Sequence, residues 1–243
     1  HGEFPRIILA PKDIEEAFYL SQRAFNLADK YQVPVFILTD QYLMDTYYNL
    51  PRFKMDYLPV EKHFARTQSD YRRFSFTATG ISPRGVPGFG EGIVCVDSDE
   101  HDEGGYITED INLRAKMVEK RLRKAAVVQK DAQPPAFTGA AGYEILIVGW
   151  GSTCPALAEA MERIGRSDLA HLHFSWVYPL AAETADYLRK AKKIIVVEGN
   201  ATGQFGHLLK LMTGRQIESI LKYNGLPFSV EELVTEISAR CKE

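Results

Sequence analysis

Two short, unbroken apolar runs near the start of the chain constrain its fold more than any other feature. Residues 6–10 (R-I-I-L-A) and 35–39 (V-F-I-L-T) show no polar alternation, so a strand made from either is buried on both faces. The chain between them is long enough for one helix. Asp13 is placed to cap it, with Glu16 three residues on in the pattern of a capping box. Ile14, Ala17, Phe18, Ser21, Ala24, Phe25 and Ala28 recur at helical spacing and predict one apolar stripe. Val33-Pro34 stops the helix, because proline cannot continue the hydrogen-bond ladder. Strand, helix, strand at this spacing is a βαβ unit with parallel strands and a right-handed crossover. Two strands cannot bury both faces of a parallel sheet, so further strands are expected from a missing segment or a partner chain. Asp40 and Gln41 follow the second run, at the carboxyl end of a strand where open α/β sheets bind ligands. A polar turn is the plainer reading of the same pair.

Residues 50–92 are irregular, with prolines at 51, 59, 83 and 87. Alternation over residues 71–79 predicts an exposed strand. Residues 80–88 form a turn-rich loop in which Arg84 can reach an anion or stay solvated. Residues 93–96 predict a short strand that delivers the chain into its densest charge, Asp97-Ser98-Asp99-Glu100-His101-Asp102-Glu103-Gly104-Gly105.

That acidic segment invites a metal. Read as a calcium loop, Asp97, Asp99 and His101 take the first, third and fifth positions. The obligatory glycine is then Asp102, and the closing bidentate glutamate is Thr108, so the calcium reading fails. One histidine among carboxylates is weak support for a transition metal. Two readings remain: a solvated acidic loop, or His101 and a carboxylate facing a cleft as an acid–base or hydrogen-bonding pair. Thr108 can cap the long helix that follows. Its predicted apolar stripe is Ile111, Ala115, Val118, Leu122 and Ala125, and its lysines and arginines read as a solvated face.

Residues 131–142 carry two prolines and two glycines without periodicity and read as a linker. They divide the chain into residues 1–130 and a second α/β pattern over residues 143–243. There, strands are expected over 144–148, 169–174, 193–197 and 218–222, with helices over 155–164, 182–191, 203–211 and 230–239. This is a doubly wound, mostly parallel domain of three to four strands. Its glycine turns, residues 149–153 and Asn200-x-x-Gly203-Gln204, can hold an anion on backbone N–H groups, but close strand–helix packing also explains them. Neither is a dinucleotide or P-loop fingerprint, and no nucleophile–base pair is visible.

Composition narrows the partners. The net charge of −3 argues against nucleic acid or a membrane surface, and no apolar run approaches the ~20 residues that span a bilayer. The three cysteines, Cys95, Cys154 and Cys241, are scattered, which disfavours a disulfide framework, a zinc site or an iron–sulfur cluster held by this chain alone. A reducing cytoplasm is the expected location. The start at His1-Gly2-Glu3, within four residues of a strand, reads as a fragment or a processed chain.

Several segments together resemble the α subunit of 2-oxoacid:ferredoxin oxidoreductases, of the 2-oxoglutarate type. They are Gly2-Glu3-Phe4-Pro5-Arg6, residues 16–34, Thr39-Asp40-Gln41-Tyr42-Leu43, Gly80-Ile81-Ser82-Pro83-Arg84, Asp99-Glu100-His101-Asp102-Glu103-x-Gly105 and Gly199-Asn200-x-x-Gly203-Gln204. Gly104-Gly105-Tyr106 departs from the family pattern. The resemblance implies the end of a thiamine-pyrimidine-type parallel-sheet domain followed by a transketolase C-terminal-like doubly wound domain, without the upstream part of the subunit. It implies a partner β subunit holding thiamine diphosphate, Mg2+ and a 4Fe-4S cluster, with CoA and a 2-oxoacid as substrates and ferredoxin as electron acceptor. It also makes Asp40, Arg84, Asp99, His101, Asp102, Glu103, Asn200, Gly203 and Gln204 candidates for a shared substrate or cofactor cleft. The expected reaction is oxidative decarboxylation to acyl-CoA. The plainer alternatives are a non-catalytic assembly domain of such a complex and a subunit of another thiamine-dependent dehydrogenase.

Overall fold

A computed structural model describes residues 2–57 and 59–242, with the side chain of Tyr57 left out. His1, on which the reading of the chain's start rests, lies outside the described residues. In chain order the elements are β1 (Ile7–Leu9), α1 (Ile14–Tyr31), β2 (Val35–Ile37), α2 (Gln41–Asp45), α3 (Ile111–Lys130), β3 (Ala136–Gly139), β4 (Ile145–Trp150) and α4 (Cys154–Ile164). They continue with β5 (Leu169–Phe174), β6 (Trp176–Tyr178), α5 (Thr184–Lys190), β7 (Lys193–Glu198), α6 (Gln204–Thr213), β8 (Glu218–Leu221) and α7 (Val230–Arg240). The chain forms two compact units. One holds residues 1–7, 22–36 and 55–131, and the other residues 8–21, 37–54 and 132–243.

The opening βαβ unit is present. Asp13 Oδ1 accepts the Glu16 N–H at 2.7 Å, and Glu16 Oε2 accepts the Lys12 N–H at 2.7 Å, so the start of α1 is capped by the expected pair. Strands β1 and β2 pair in the parallel sense: Ile7 N donates to Pro34 O and, further along both strands, Leu38 N donates to Leu9 O. The sheet order is β2-β1-β6, with β6 antiparallel to β1. The buried stripe of α1 differs from the expected one. Leu20, Ala24, Leu27 and Tyr31 are buried, whereas Ser21 and Phe25 are exposed. Of the expected stripe only Ala24 is fully buried, and Leu20, Leu27 and Tyr31 turn the inward face toward their side of the helix.

In the first unit the long loop is irregular but tightly bonded. The strands expected over residues 71–79 and 93–96 do not form. Over residues 71–79 the backbone groups bond elsewhere: Phe74 N donates to Glu103 O, Phe76 N to Glu103 Oε1, and Ser75 O accepts the Ser82 hydroxyl. Tyr71 accepts the Gly85 N–H at 2.7 Å, Ser82 donates to Ser75 O at 2.9 Å, and Gln32 donates to Ser82 O at 2.7 Å. Gly80 has φ +79°, and a Cβ there would lie 2.2 Å from Lys120 O on α3, so this turn accepts only glycine.

Helix α3 is capped by Asp110, whose Oδ1 accepts the N–H groups of Asn112 and Leu113. Thr108, the expected cap, instead accepts the Asp110 N–H. The buried face of α3 also differs from the expected stripe: Met117, Lys120 and Val128 are buried, while Ile111, Val118 and Leu122 are exposed. The close approach of Gly80 to the backbone at Lys120 fixes this rotation.

The second unit is built on a five-stranded sheet, order β3-β5-β4-β7-β8. Strands β5, β4, β7 and β8 are parallel, and β3 runs antiparallel at the edge. Strand β3 comes from the stretch read as a linker. Alternating residues face two cores. Leu146, Val148, Leu172 and Val196 pack with Leu188 of α5 and Leu209 of α6. Ile145, Ile147, Ile195 and Val197 pack with Leu157 of α4 and Leu233 of α7. Helices on both faces make the unit doubly wound, as expected.

Two histidines interrupt that second face. His171 and His173 of β5 are buried with ring centroids 5.9 Å apart. His171 Nε2 and both ring nitrogens of His173 meet no hydrogen-bond partner among the described residues. Burial lowers His171 from 6.5 to about 4. Burial, then repulsion from His171 and Lys12, lowers His173 to about 3. Between these values and 6.5 the unfolded chain binds more protons than the folded one, so stability falls as pH drops from about 6.5 to about 4. Urea titrations at pH 7 and 4.5 should show the wild type losing about 5 kcal/mol, with His173→Phe losing about half as much. Equal losses in both proteins would contradict the linkage.

Candidate functional site

The acidic segment is folded by its own backbone. Asp102 Oδ1 accepts the N–H groups of Gly104 at 2.8 Å and of Gly105 and Tyr106 at 3.0 Å. Asp102 N donates to Tyr106 O at 2.9 Å, closing the loop. Gly105 has φ +96°, and a Cβ there would lie 2.3 Å from Cys95 O, so the second glycine of the pair is required by the turn. Glu103 works in the other direction. Its Oε1 accepts the Phe76 N–H at 2.8 Å and its carbonyl accepts Phe74 N, while Arg72 lies 3.6 Å from Oε2. Asp99 is exposed, with its N–H on Asp97 Oδ1 at 2.8 Å. His101 stacks edge-on against Phe74 at a centroid distance of 3.7 Å. Burial is the main cause that holds its imidazole below the usual range.

Glu100, absent from the candidates named above, anchors the segment to α3. Its carboxylate accepts both terminal nitrogens of Arg121, at 3.0 and 2.8 Å, and Arg114 at 3.4 Å. The Arg121 hydrogen bond holds the Glu100 carboxyl below the usual range. The basic face of α3 is not all solvated, as its composition had suggested. Lys120 is 4% exposed and donates to Phe74 O at 2.6 Å, and Lys124 donates to Gln32 O at 3.1 Å. Burial, with neighbouring cations adding to it, lowers each to about 8. Long lysine stems fill space where the sequence pattern calls for apolar residues.

Arg84 also has a fixed partner. It forms an ion pair with Asp29 and lies 5.1 Å over the Phe64 ring. Beside the acidic segment lies an open cleft of about 990 Å3, lined by Tyr71, Arg72, Ser75, Pro83, Ile93, Cys95, Asp102, Glu103, Tyr106 and Leu113 among others. Asp102 and Glu103 are the sequence candidates that reach it.

The remaining candidates lie in the second unit. Asp40 caps α2, with Oδ1 accepting the Leu43 N–H at 2.8 Å and Oδ2 accepting the Ser152 hydroxyl. At the end of β7, Glu198 is 0% exposed. Its two oxygens accept Gly206 N at 2.8 Å, Phe205 N at 2.9 Å and Asn200 Nδ2 at 2.8 Å. Asn200 Oδ1 accepts the N–H groups of Thr202, Gly203 and Gln204. The N-terminal N–H groups of α6 that could have held an external anion are thus filled by two side chains of the same turn. Glu198 was visible in sequence only as a carboxylate ending an apolar run.

These geometries assign Asp102 to turn closure. Asp102→Ala leaves three N–H groups without their acceptor and should lower unfolding free energy by about 1–3 kcal/mol, read as a shifted denaturant midpoint. An unchanged midpoint would return Asp102 to the solvated-loop reading.

Residues 2–120 match a family profile described as pyruvate flavodoxin/ferredoxin oxidoreductase, thiamine diphosphate-binding. The chain is 37% identical over 242 residues to the alpha subunit of 2-oxoacid:ferredoxin oxidoreductase 1 from Sulfurisphaera tokodaii, covering 96% of this chain and 38% of the relative. It is 25% identical over 246 residues to the 2-oxoglutarate synthase subunit KorA of Methanothermobacter marburgensis, covering 98% of this chain and 64% of the relative. Among solved structures, the 2-oxoglutarate:ferredoxin oxidoreductase of Magnetococcus marinus, with 2-oxoglutarate, coenzyme A and succinyl-CoA bound, matches with a TM-score of 0.91 at 28% identity. That match covers 98% of this chain and 43% of the solved chain. The chain therefore spans under half the length of the Sulfurisphaera relative and of the solved one, and it belongs to the family of 2-oxoacid:ferredoxin oxidoreductase alpha subunits.

Proposed function

We propose that this chain is a portion of an α subunit that works with a β subunit in CoA-dependent oxidative decarboxylation of 2-oxoglutarate. The products are succinyl-CoA and CO2, with the electrons passed to ferredoxin. The observation that carries this reading is the match over 98% of the chain, at a TM-score of 0.91, to an enzyme named for 2-oxoglutarate. The Sulfurisphaera relative is named only for 2-oxoacids, so the choice of 2-oxoglutarate within that class rests on the structural match.

No three His, Cys, Asp or Glu side chains converge as a metal-ligating group among the described residues. Cys95, Cys154 and Cys241 are free, and burial pushes the Cys154 thiol up to about 11. The reading places thiamine diphosphate, Mg2+ and the 4Fe-4S cluster in the β subunit. Thiamine diphosphate, when bound there, supplies the carbanion-stabilising chemistry of decarboxylation. The contribution of this chain is positional. Its folded acidic segment presents one wall of the cleft beside Tyr71 and Tyr106, and the buried Glu198–Asn200 turn sets the start of α6. None of the described helices is long and apolar enough to cross a membrane. Assembly in the cytoplasm is part of the proposal.

A second reading, a non-catalytic assembly domain, is favoured by one observation. Asp40, Glu100, Asp102, Glu103 and Glu198 all accept bonds from the protein itself. The α subunit purified with its β partner separates the two. The enzyme reading expects viologen reduction with 2-oxoglutarate that requires CoA, and expects pyruvate to be turned over more slowly. Absence of CoA-dependent reduction with any 2-oxoacid would leave only the assembly reading.

A further inference from the structure

Among the described residues of the first unit, Lys120 is the one charged side chain that is buried. Its ammonium donates to Phe74 O at 2.6 Å and lies 5.8 and 6.0 Å from the ring centres of Phe74 and Phe76. Phe74 is the hub of the layer above it. The Phe74 N–H donates to Glu103 O at 2.8 Å, and its ring meets His101 edge-on. The Phe76 N–H donates to Glu103 Oε1, also at 2.8 Å. Residues 72–76 and 100–103 are thus bonded into one strap over α3, and they lend Arg72, Ser75, Asp102 and Glu103 to the 990 Å3 cleft.

Attraction and repulsion meet under this strap. Glu100 ties it to Arg121 and Arg114 of α3. Cations crowd the same place. Arg73, on the strap and half-buried, lies 4.9 Å over the Phe74 ring and enters no hydrogen bond or ion pair among the described residues. Lys124, Arg73 and Arg121 all oppose the charge on Lys120, and Glu103 is the carboxylate that favours it. Lys124, whose acceptor is Gln32 O just after α1, meets the same repulsion from Arg73 and Arg121. A buried ammonium with one carbonyl acceptor and cationic neighbours is costly. The seated strap therefore holds Lys120 where its charge is disfavoured, and a lifted strap would return that charge to water.

We infer that the strap is a charge-gated wall of the cleft: it seats more firmly on α3 when Lys120 gives up its proton and loosens when Lys120 takes it back. Seated, Lys120 releases its proton near pH 8, because burial and the neighbouring cations disfavour the charge. Lifted into water, a lysine keeps its proton to about pH 10.4. Between those values the seated form binds fewer protons, so rising pH favours seating; below about pH 8 the full opposition of the charged amine remains. Near neutral pH the Glu100–Arg121 pair thus holds the strap down against a charged lysine, and the wall is poised to open. The device belongs to the fold of the first unit and does not depend on which molecule the cleft takes.

Hydrogen exchange read by mass spectrometry on the full α subunit follows the strap directly, through peptides covering residues 72–76 and 100–106. After correction for intrinsic exchange, their protection should be flat from pH 6 to 7 and rise about tenfold from pH 7 to 9. Lys120→Gln keeps a donor for Phe74 O and removes the titrating charge, so its protection should stay flat from pH 7 to 9. Lys116→Gln, on an exposed residue of the same helix, should keep the rise. A wild-type strap with flat protection from pH 7 to 9, or a rise that Lys120→Gln retains in full, would overturn the gate. An equal rise in peptides of β4 and β5 in the second unit would overturn it too, by showing a change common to the whole protein. That comparison is made within the wild type and decides the matter even where Lys120→Gln folds poorly.

Discussion

The paired hydrogen bonds between Glu100 and Arg121 hold together most of what distinguishes the first unit. They pin a highly charged segment to the long helix α3. With Glu100 fixed, Asp102 closes its turn on three successive N–H groups and Glu103 reaches back to the backbone of Phe76. The same helix placement brings the Lys120 carbonyl against Gly80 and directs the ammonium of Lys120 to Phe74 O. A bidentate carboxylate–guanidinium pair fixes orientation as well as distance, which a single lysine partner would not do. The dense charge is therefore largely a folding device, and its unpaired remainder faces outward.

The second unit solves a similar problem in its interior. Glu198 ends β7 inside the protein, where an unpaired carboxylate would be costly. The helix start directly after it supplies the N–H groups that make burial tolerable. The result is a rigid strand-to-helix turn at the carboxyl edge of the sheet. His171 and His173 show the opposite case: imidazoles kept neutral by burial, which ties the stability of this unit to pH.

In the second unit the parallel strands and their helices were legible in the sequence because their apolar runs and 3.6-residue periodicity match what is buried, whereas the run over residues 35–39, expected to be buried on both faces, leaves Phe36, Ile37 and Leu38 exposed at the edge of its sheet. β4, β5, β7 and β8 and helices α4 to α7 all fall where the pattern places them. What was not legible depended on contacts distant in sequence. Strand β3 pairs with β5 across residues 136–173, and two prolines before it with glycines at 139 and 142 hid it. The inward face of α3 is set by Gly80 and by two lysines that bury their stems, so counting apolar residues selected the exposed side. Glu100 could not be separated from its acidic neighbours because its partner lies 21 residues away. The motifs of the resemblance were visible, yet the hydrogen bonds each residue makes within the fold are not displayed by a sequence. Arg84 pairs with Asp29 and Asn200 fills the start of α6, partners that the motifs themselves do not name.

Two of the cleft's carboxylates, Asp102 and Glu103, already hold backbone N–H groups of the chain itself, which suits shape and contact better than acid–base chemistry. That fits a chain whose family relatives are subunits, and it makes the order of the acidic segment the quantity on which the account turns. A double-mutant cycle on Glu100→Gln and Arg121→Met, read by chemical denaturation, measures that order most directly. The account predicts a coupling energy of about 1–2 kcal/mol for the bidentate pair. Additive effects, with coupling below about 0.3 kcal/mol, would contradict it.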